Sequence, residues 1–260
     1  LRNGLHDVRS TGTEEYHNYA FKPEGALDAY LLPYISTDQL EKIADDFFEI
    51  YCFDAVYVDY MLPVDHIMRE LKMCIYESPL PDNVFGRVYF REAKGTRFVK
   101  FHPYMPEAEI DTEIHPGTIV INRKHFFLGS IGSPLNTIAH ELIHWELHQR
   151  FFELLALLSD GSDALSCNAD PPMSDSHLNG LQKAIWWAEW QANSLAPRIL
   201  MPRCLFMSVL MQVYAEKYET TVYHCFAEIM ERTIECVAEL FGVSKLSAKI
   251  RAMQLGVTEA

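Results

Sequence analysis

The sequence predicts an α+β domain. Three observations carry that reading: an amphipathic helical pattern beginning at Ser36, a cluster of β-rich runs between residues 85 and 123, and helical periodicity through most of the chain beyond Ser133. Residues 1 to about 34 are polar and irregular, punctuated by Gly4, Gly12, Pro23, Gly25 and Pro33, so residues 1–35 read as an N-terminal extension and 36–260 as the domain.

STDQLEKIADDFFEIY opens with Ser36 three residues before Gln39, the spacing of a capping box, and sets Leu40, Ile43, Ala44, Phe47 and Phe48 on one helical face. After an apolar VYV segment, Pro63 occupies a helix start, and Ile67, Leu71 and Met73 follow at helical spacing. RVYFRE and RFVKFHP then read as strands separated by Ala93, Lys94, Gly95 and Thr96, a spacing suited to a hairpin, and GTIVINR supplies a third strand. Ser133 and Pro134 start a helical pattern that runs through Leu158. A Ser/Asp/Gly/Asn/Pro-rich linker from Ser159 to Gly180 precedes LQKAIWWAEWQANSLA, where Pro197 is expected to kink or end the helix. FAEIMERTIECVAELF and KLSAKIRAMQL complete the chain as two helices, with Gly242 and Ser244 as stop and restart.

Composition narrows the function classes. The 260 residues are 49% hydrophobic and 22% charged, which is ordinary globular usage and excludes a disordered or collagen-like chain. Twenty-two Lys plus Arg against thirty-six Asp plus Glu leave a net charge of −14, so a surface that tracks phosphates is not expected, and basic partners become the better match. No stretch approaches the roughly 20 continuous apolar residues of a membrane span. The six cysteines are scattered without a CxxC pair, which suits free thiols in a reducing compartment and makes the cytosol the expected location.

The chemistry is concentrated in TIAHELIHWELH. His140 and His144 stand four apart on a predicted helix, so both imidazoles project from one face and reach one cation, while Glu141 lies beside the water such a cation activates. Zinc lowers the pKa of that water toward about 7, and the carboxylate accepts the proton and passes it to the leaving amine, so the pattern points to metal-assisted amide hydrolysis. A bland alternative is two histidines on an exposed or hydrogen-bonded helix face.

A catalytic zinc site needs a third protein ligand and an open position. His148 continues the stripe, but a straight helix carries it about 12 Å along the axis from His140, so it reads as a polar residue near the cleft. Glu189, on the next helix, is the better candidate, with Asp175, His177 and Cys167 in the preceding linker as rivals. Asn193 stands one turn after Glu189, where its amide would hydrogen-bond a ligating histidine from behind.

TIAHELIH, AEWQANSLAPRILMP and VAELFGVSKLSAKIRAMQLG together resemble three successive signatures of the ImmA/IrrE family of zinc metallopeptidases, over about residues 36 to 256. The resemblance implies His140, His144 and Glu189 as zinc ligands, Glu141 as acid/base, and a compact zincin-like α+β fold with the active-site helix against a small antiparallel or mixed sheet. It also implies a helix-turn-helix repressor as substrate, and a basic substrate agrees in sign with the −14 charge. Three features depart from the pattern: a long insert between the two ligand helices, Trp145 after the second histidine, and Pro197 where the family continues a helix.

Other groups compete for roles. Trp186, Trp187 and Trp190 flank Glu189 and read as interface packing. His102 and Tyr104 are candidates for stabilising an oxyanion. The C-terminal helix pair balances four basic against four acidic residues, which favours packing or substrate docking over nucleic-acid binding. A non-proteolytic zinc-containing sensor, acting on a transcriptional regulator by contact, is the second function these residues permit.

Overall fold

The computed structural model describes residues 27–52, 60–93, 97–100, 109–111, 113–122, 132–158, 164–168, 178, 180–220 and 225–257. The expectations for the VYV segment, His102, Tyr104, Asp175 and His177 lie outside the described residues. So does the greater part of the expected extension.

The chain is α+β. A 3-10 turn at Thr37–Gln39 leads into α1 (Leu40–Tyr51), and the Gln39 side-chain oxygen accepts a 2.9 Å hydrogen bond from the Ser36 N–H. Leu40, Ile43, Ala44, Phe47 and Tyr51 form its buried face. A short α2 (Val64–Glu70) follows Pro63 and delivers Ile67 to the core. Residues 27–35, expected in the extension, enter the fold instead: Leu32 and Ile35 are both buried.

Six strands form one mixed sheet among the described residues: β1 (Cys74–Ser78), β2 (Val84–Tyr89), β3 (Arg97–Lys100), β4 (Glu109–Asp111), β5 (Thr118–Asn122) and β6 (Ala164–Asn168), in the order β4-β3-β1-β5-β2-β6. β1 and β5 run parallel, and the remaining pairs are antiparallel. β5 is central, with every residue buried, so its apolar Ile119-Val120-Ile121 run has both faces covered. Ile119 and Ile121 join the main core with Val88, while Val120 packs on the opposite face with Tyr89 and Ile114. Buried Asn122 clamps the β1–β2 connection by donating to the Val84 and Pro81 carbonyls at 2.7 and 3.1 Å.

The hairpin expected from RVYFRE and RFVKFHP does not form. β2 pairs with β5 and β6, whereas β3 crosses to the far side of β1, because the parallel β1–β5 pair occupies the centre of the sheet and separates the two. β1, β4 and β6 were invisible in the sequence: the first follows the second helix directly, the second has three residues, and the third is a five-residue edge strand inside the polar linker.

Helices then cover the sheet. α3 (Gly132–Leu147) packs on β2 and β5, and α4 (Gln149–Leu158) continues it after an interruption at His148. α5 (Gly180–Leu200) lies against both α3 and α1. Pro197 does not end α5, which runs three residues further; a 46° bend separates it from α6 (Arg203–Thr220). α7 (Phe226–Leu240) and α8 (Lys245–Gln254) meet at Gly242, whose φ of 62° supplies the left-handed residue, and the Ser244 hydroxyl caps α8 by accepting from the Ser247 N–H at 3.0 Å. No single described helix is long and apolar enough to cross a membrane.

One partly buried fork joins the C-terminal helix to the remainder. Arg251, 1% exposed, donates to both oxygens of Glu41 at 2.6 and 2.8 Å and to the Met201 carbonyl at 3.0 Å, while Arg198 reaches Glu41 at 2.9 Å. Hydrogen bonding and charge from Arg251 hold the Glu41 carboxyl below its ordinary value, against the opposing effect of partial burial. A carboxylate with a lowered folded-state pKa contributes stability above its unfolded value and loses it as the pH falls through the folded value. Glu41→Gln should therefore flatten the acid limb of the unfolding free energy, measured by urea denaturation across pH. Arg251→Ala should cost about 1.5–3 kcal/mol at neutral pH in the same measurement.

Candidate metal centre

The seam between α3 and α5 collects the chemistry. Ile138, Leu142 and Ile143 anchor α3 in the main core, and this leaves the His140–His144 stripe facing α5, where Ala188, Ala192 and Leu195 anchor the partner and present Glu189. His140, His144 and Glu189 are all buried, and their ligand atoms lie within 4.8 Å of one another, the one such group found among the described residues. Nε2 of His140 stands 3.4 Å from one Glu189 oxygen, Nε2 of His144 stands 3.5 Å from the other, and the two nitrogens are 2.9 Å apart. Ligand bonds of about 2.0–2.1 Å in a tetrahedral site imply ligand-to-ligand edges of about 3.3 Å. The three distances bracket that edge, so two imidazoles and a carboxylate are placed to hold a small divalent cation.

Electrostatics separate the two acids. Burial pushes Glu189 up, but the two imidazoles facing it outweigh burial and hold it well below the usual carboxylate range. Burial raises Glu141 to about 8, opposed by His140 and reinforced by the charge of Glu189. A cation held by His140, His144 and Glu189 would act against that rise and favour the Glu141 carboxylate. Glu141 is fully buried, and hydrogen bonding from the Val88 backbone also opposes its rise. It lies against β2, where Gly86 permits the approach: a Cβ there would collide with Thr137 Cγ2 and stand 3.3 Å from Glu141 Oε1.

Behind the ligands runs a second set of contacts that spacing alone did not reveal. His144 Nδ1 meets His148 Nδ1 at 2.8 Å, His148 Nε2 meets Gln191 Oε1 at 2.9 Å, and Gln191 Nε2 donates to the Pro33 carbonyl at 2.7 Å. Asn193, expected to support a ligating histidine, is exposed on α5; the amide that reaches the histidines is Gln191, two residues earlier and on the buried side of the helix. The signal available for His148 was the i, i+4, i+8 histidine stripe, which places all three rings on one face. His148 stands behind the metal group and outside it, as its distance along the helix predicts.

Aromatic walls complete the surroundings. Phe152 packs edge-on to His144 with ring centres 5.8 Å apart and stacks on Phe90, which in turn stacks on Trp145. Tyr51 donates to Glu146 at 2.8 Å, tying α1 to the back of α3, and burial raises Glu146 to about 7. Trp187 and Trp190 pack against core residues, and both line a cavity of about 680 Å³ together with Tyr30, Pro33, Lys183 and Gln191. Of the rival ligands, Cys167 falls in β6.

In comparisons with known proteins, no family model, curated protein or solved structure matches the chain.

The contact at Gly86 generates a specific expectation. Gly86→Ala should destabilise the fold by about 1–3 kcal/mol, because α3 must move away from β2 to admit the methyl group. Thermal unfolding measures that cost, and Gly86→Ala with Thr137→Ser, which removes the colliding methyl, should recover most of it.

Proposed function

We propose that this protein is a zinc-dependent endopeptidase of zincin-like architecture that hydrolyses a peptide bond in a protein substrate, a basic helix-turn-helix repressor. The observation that carries the reading is the convergence of His140, His144 and Glu189 from two helices onto one point, with Glu141 adjacent in sequence to the first ligand. The resemblance of the three motif segments to the ImmA/IrrE family supports the same assignment and supplies the substrate class. The −14 charge supports a basic partner through long-range steering. Free cysteines at Cys52, Cys74, Cys204, Cys225 and Cys236 suit a cytosolic location.

When bound, zinc supplies Lewis acidity for a carbonyl and for water. Glu141 takes the proton from the attacking water and returns it to the departing amine, a task suited to a carboxylate whose surroundings push it toward neutral pH. Glu189, held ionised by the imidazoles facing it, contributes the negative charge of the ligand set.

Burial favours a second reading alongside the first. Glu141 and both histidines are at most 1% exposed, an enclosure that suits a metal-containing sensor acting by contact as well as a peptidase that opens for its substrate. The two readings diverge on Glu141. If the protein is a peptidase, Glu141→Gln retains zinc by elemental analysis and slows cleavage of a basic helix-turn-helix repressor by about two to four orders of magnitude. Retained zinc with no cleavage by the unaltered protein, of that repressor or of a mixed peptide library, assigns the sensor. Glu189→Ala should lose the metal under either reading, and stoichiometric zinc in that variant would overturn the ligand set.

A further inference from the structure

The contacts behind His144 have a direction that a single atom imposes. The Pro33 carbonyl only accepts, so the Gln191 amide nitrogen donates to it at 2.7 Å and the Gln191 carbonyl oxygen faces the other way as an acceptor. His148 meets that oxygen through Nε2 at 2.9 Å, so Nε2 carries the proton. A neutral imidazole has one N–H, which leaves His148 Nδ1 as an acceptor, and the 2.8 Å contact between the two Nδ1 atoms then requires the proton on His144 Nδ1. All three side chains are at most 2% exposed, so bulk solvent does not compete for these bonds.

Resting on the metal-site reading above, we propose that His148 and Gln191, anchored on the Pro33 carbonyl, are positioning residues that lock His144 in the Nδ1–H tautomer and thereby present Nε2 as a bare metal-binding atom. Free imidazole side chains favour the other tautomer, with the proton on the nitrogen a cation would need. The chain of bonds reverses that preference before a cation arrives and fixes the ring plane. His148 does this from a place too far along the helix to be a ligand, so the third histidine of the stripe serves the metal indirectly. Gln191 is suited to its place because one amide presents an acceptor to His148 and a donor to Pro33, a pairing that neither a carboxylate nor an aliphatic side chain provides.

The test uses the full chain with histidine labelled in both ring nitrogens. After removal of metal by a chelator, nitrogen NMR should show His144 protonated at Nδ1 and His148 at Nε2. Zinc affinity, measured by competition with a chromophoric chelator, should fall about 10–100-fold in His148→Ala and in Gln191→Leu. Gln191→Glu should stay within a few-fold of the unaltered protein, since its carboxylate still accepts from His148; its lost bond to Pro33 should register in unfolding but not in affinity. A part that is merely structural would give the opposite ranking, with affinity following unfolding in all three. His144 protonated at Nε2 in the metal-free protein overturns the proposal, as does unchanged affinity in Gln191→Leu. Should His148→Ala fail to fold, the tautomer measurement and the two Gln191 variants decide. An unaltered protein that binds no zinc sinks the metal reading alone, and the tautomers still settle the relay.

Discussion

Burying five polar side chains in one helix–helix seam is the constraint around which this molecule is arranged. His140, His144, His148, Glu189 and Gln191 are each less than 10% exposed between α3 and α5. A polar group removed from water without a partner costs several kcal/mol, and an unpaired charge costs more. The seam holds together because the groups answer one another and because the final acceptor is a backbone carbonyl that needs a donor of its own. The apolar residues on the same two helices set how closely the axes approach, and they do so with small side chains, Ala139, Ala188 and Ala192, that leave room for rings and carboxylates.

The sheet serves that seam from one side. β5, buried on both faces, forms a platform for α3, and Gly86 on the neighbouring strand lets α3 settle close enough for Glu141 to lie against β2. From the other side α1 braces both ligand helices, through Tyr51 to Glu146 on α3 and through Glu41 to Arg198 on α5. Arg251 adds α8 to the same carboxylate, so a charged fork, together with buried Ala248 and Ala252, locates the last helix. Such a fork is directional, and it fixes α8 against α1 in register as well as in distance.

What was legible in the sequence followed from local chemistry. The capping spacing at Ser36, the 3.6-residue stripe of α1, the β-branched run of β5 and the Gly242–Ser244 break each state their structure within a few residues, and each is found. The motif histidines were legible for the same reason, since an i, i+4 pair on a helix shares a face wherever the helix goes. Pairing of strands was not. β2 and β3 are neighbours in the chain, but the parallel β1–β5 partnership, joining residues more than forty apart, claims the middle of the sheet and sends them to opposite sides. Gln191 and Asn193 show the same limit on a smaller scale: both amides lie near Glu189 in sequence, and which one turns inward depends on the roll of α5 against α3 and α1, a tertiary property that spacing does not contain.

The bond from Gln191 to Pro33 joins residues 158 apart, and this makes the surroundings of the candidate metal group depend on a long-range closure. Long-range closures follow local ones, because the entropy of bringing distant segments together must be met before their contacts offset it. A nascent chain that ends before α5 already displays His140 and His144 but has neither the carboxylate nor the amide that completes their surroundings. Without Glu189 and Gln191 the two rings would lack the groups that fix their planes and complete the set of three. A cation bound tightly by all three groups would thus mark a finished fold, since a chain cut between α3 and α5 lacks Glu189.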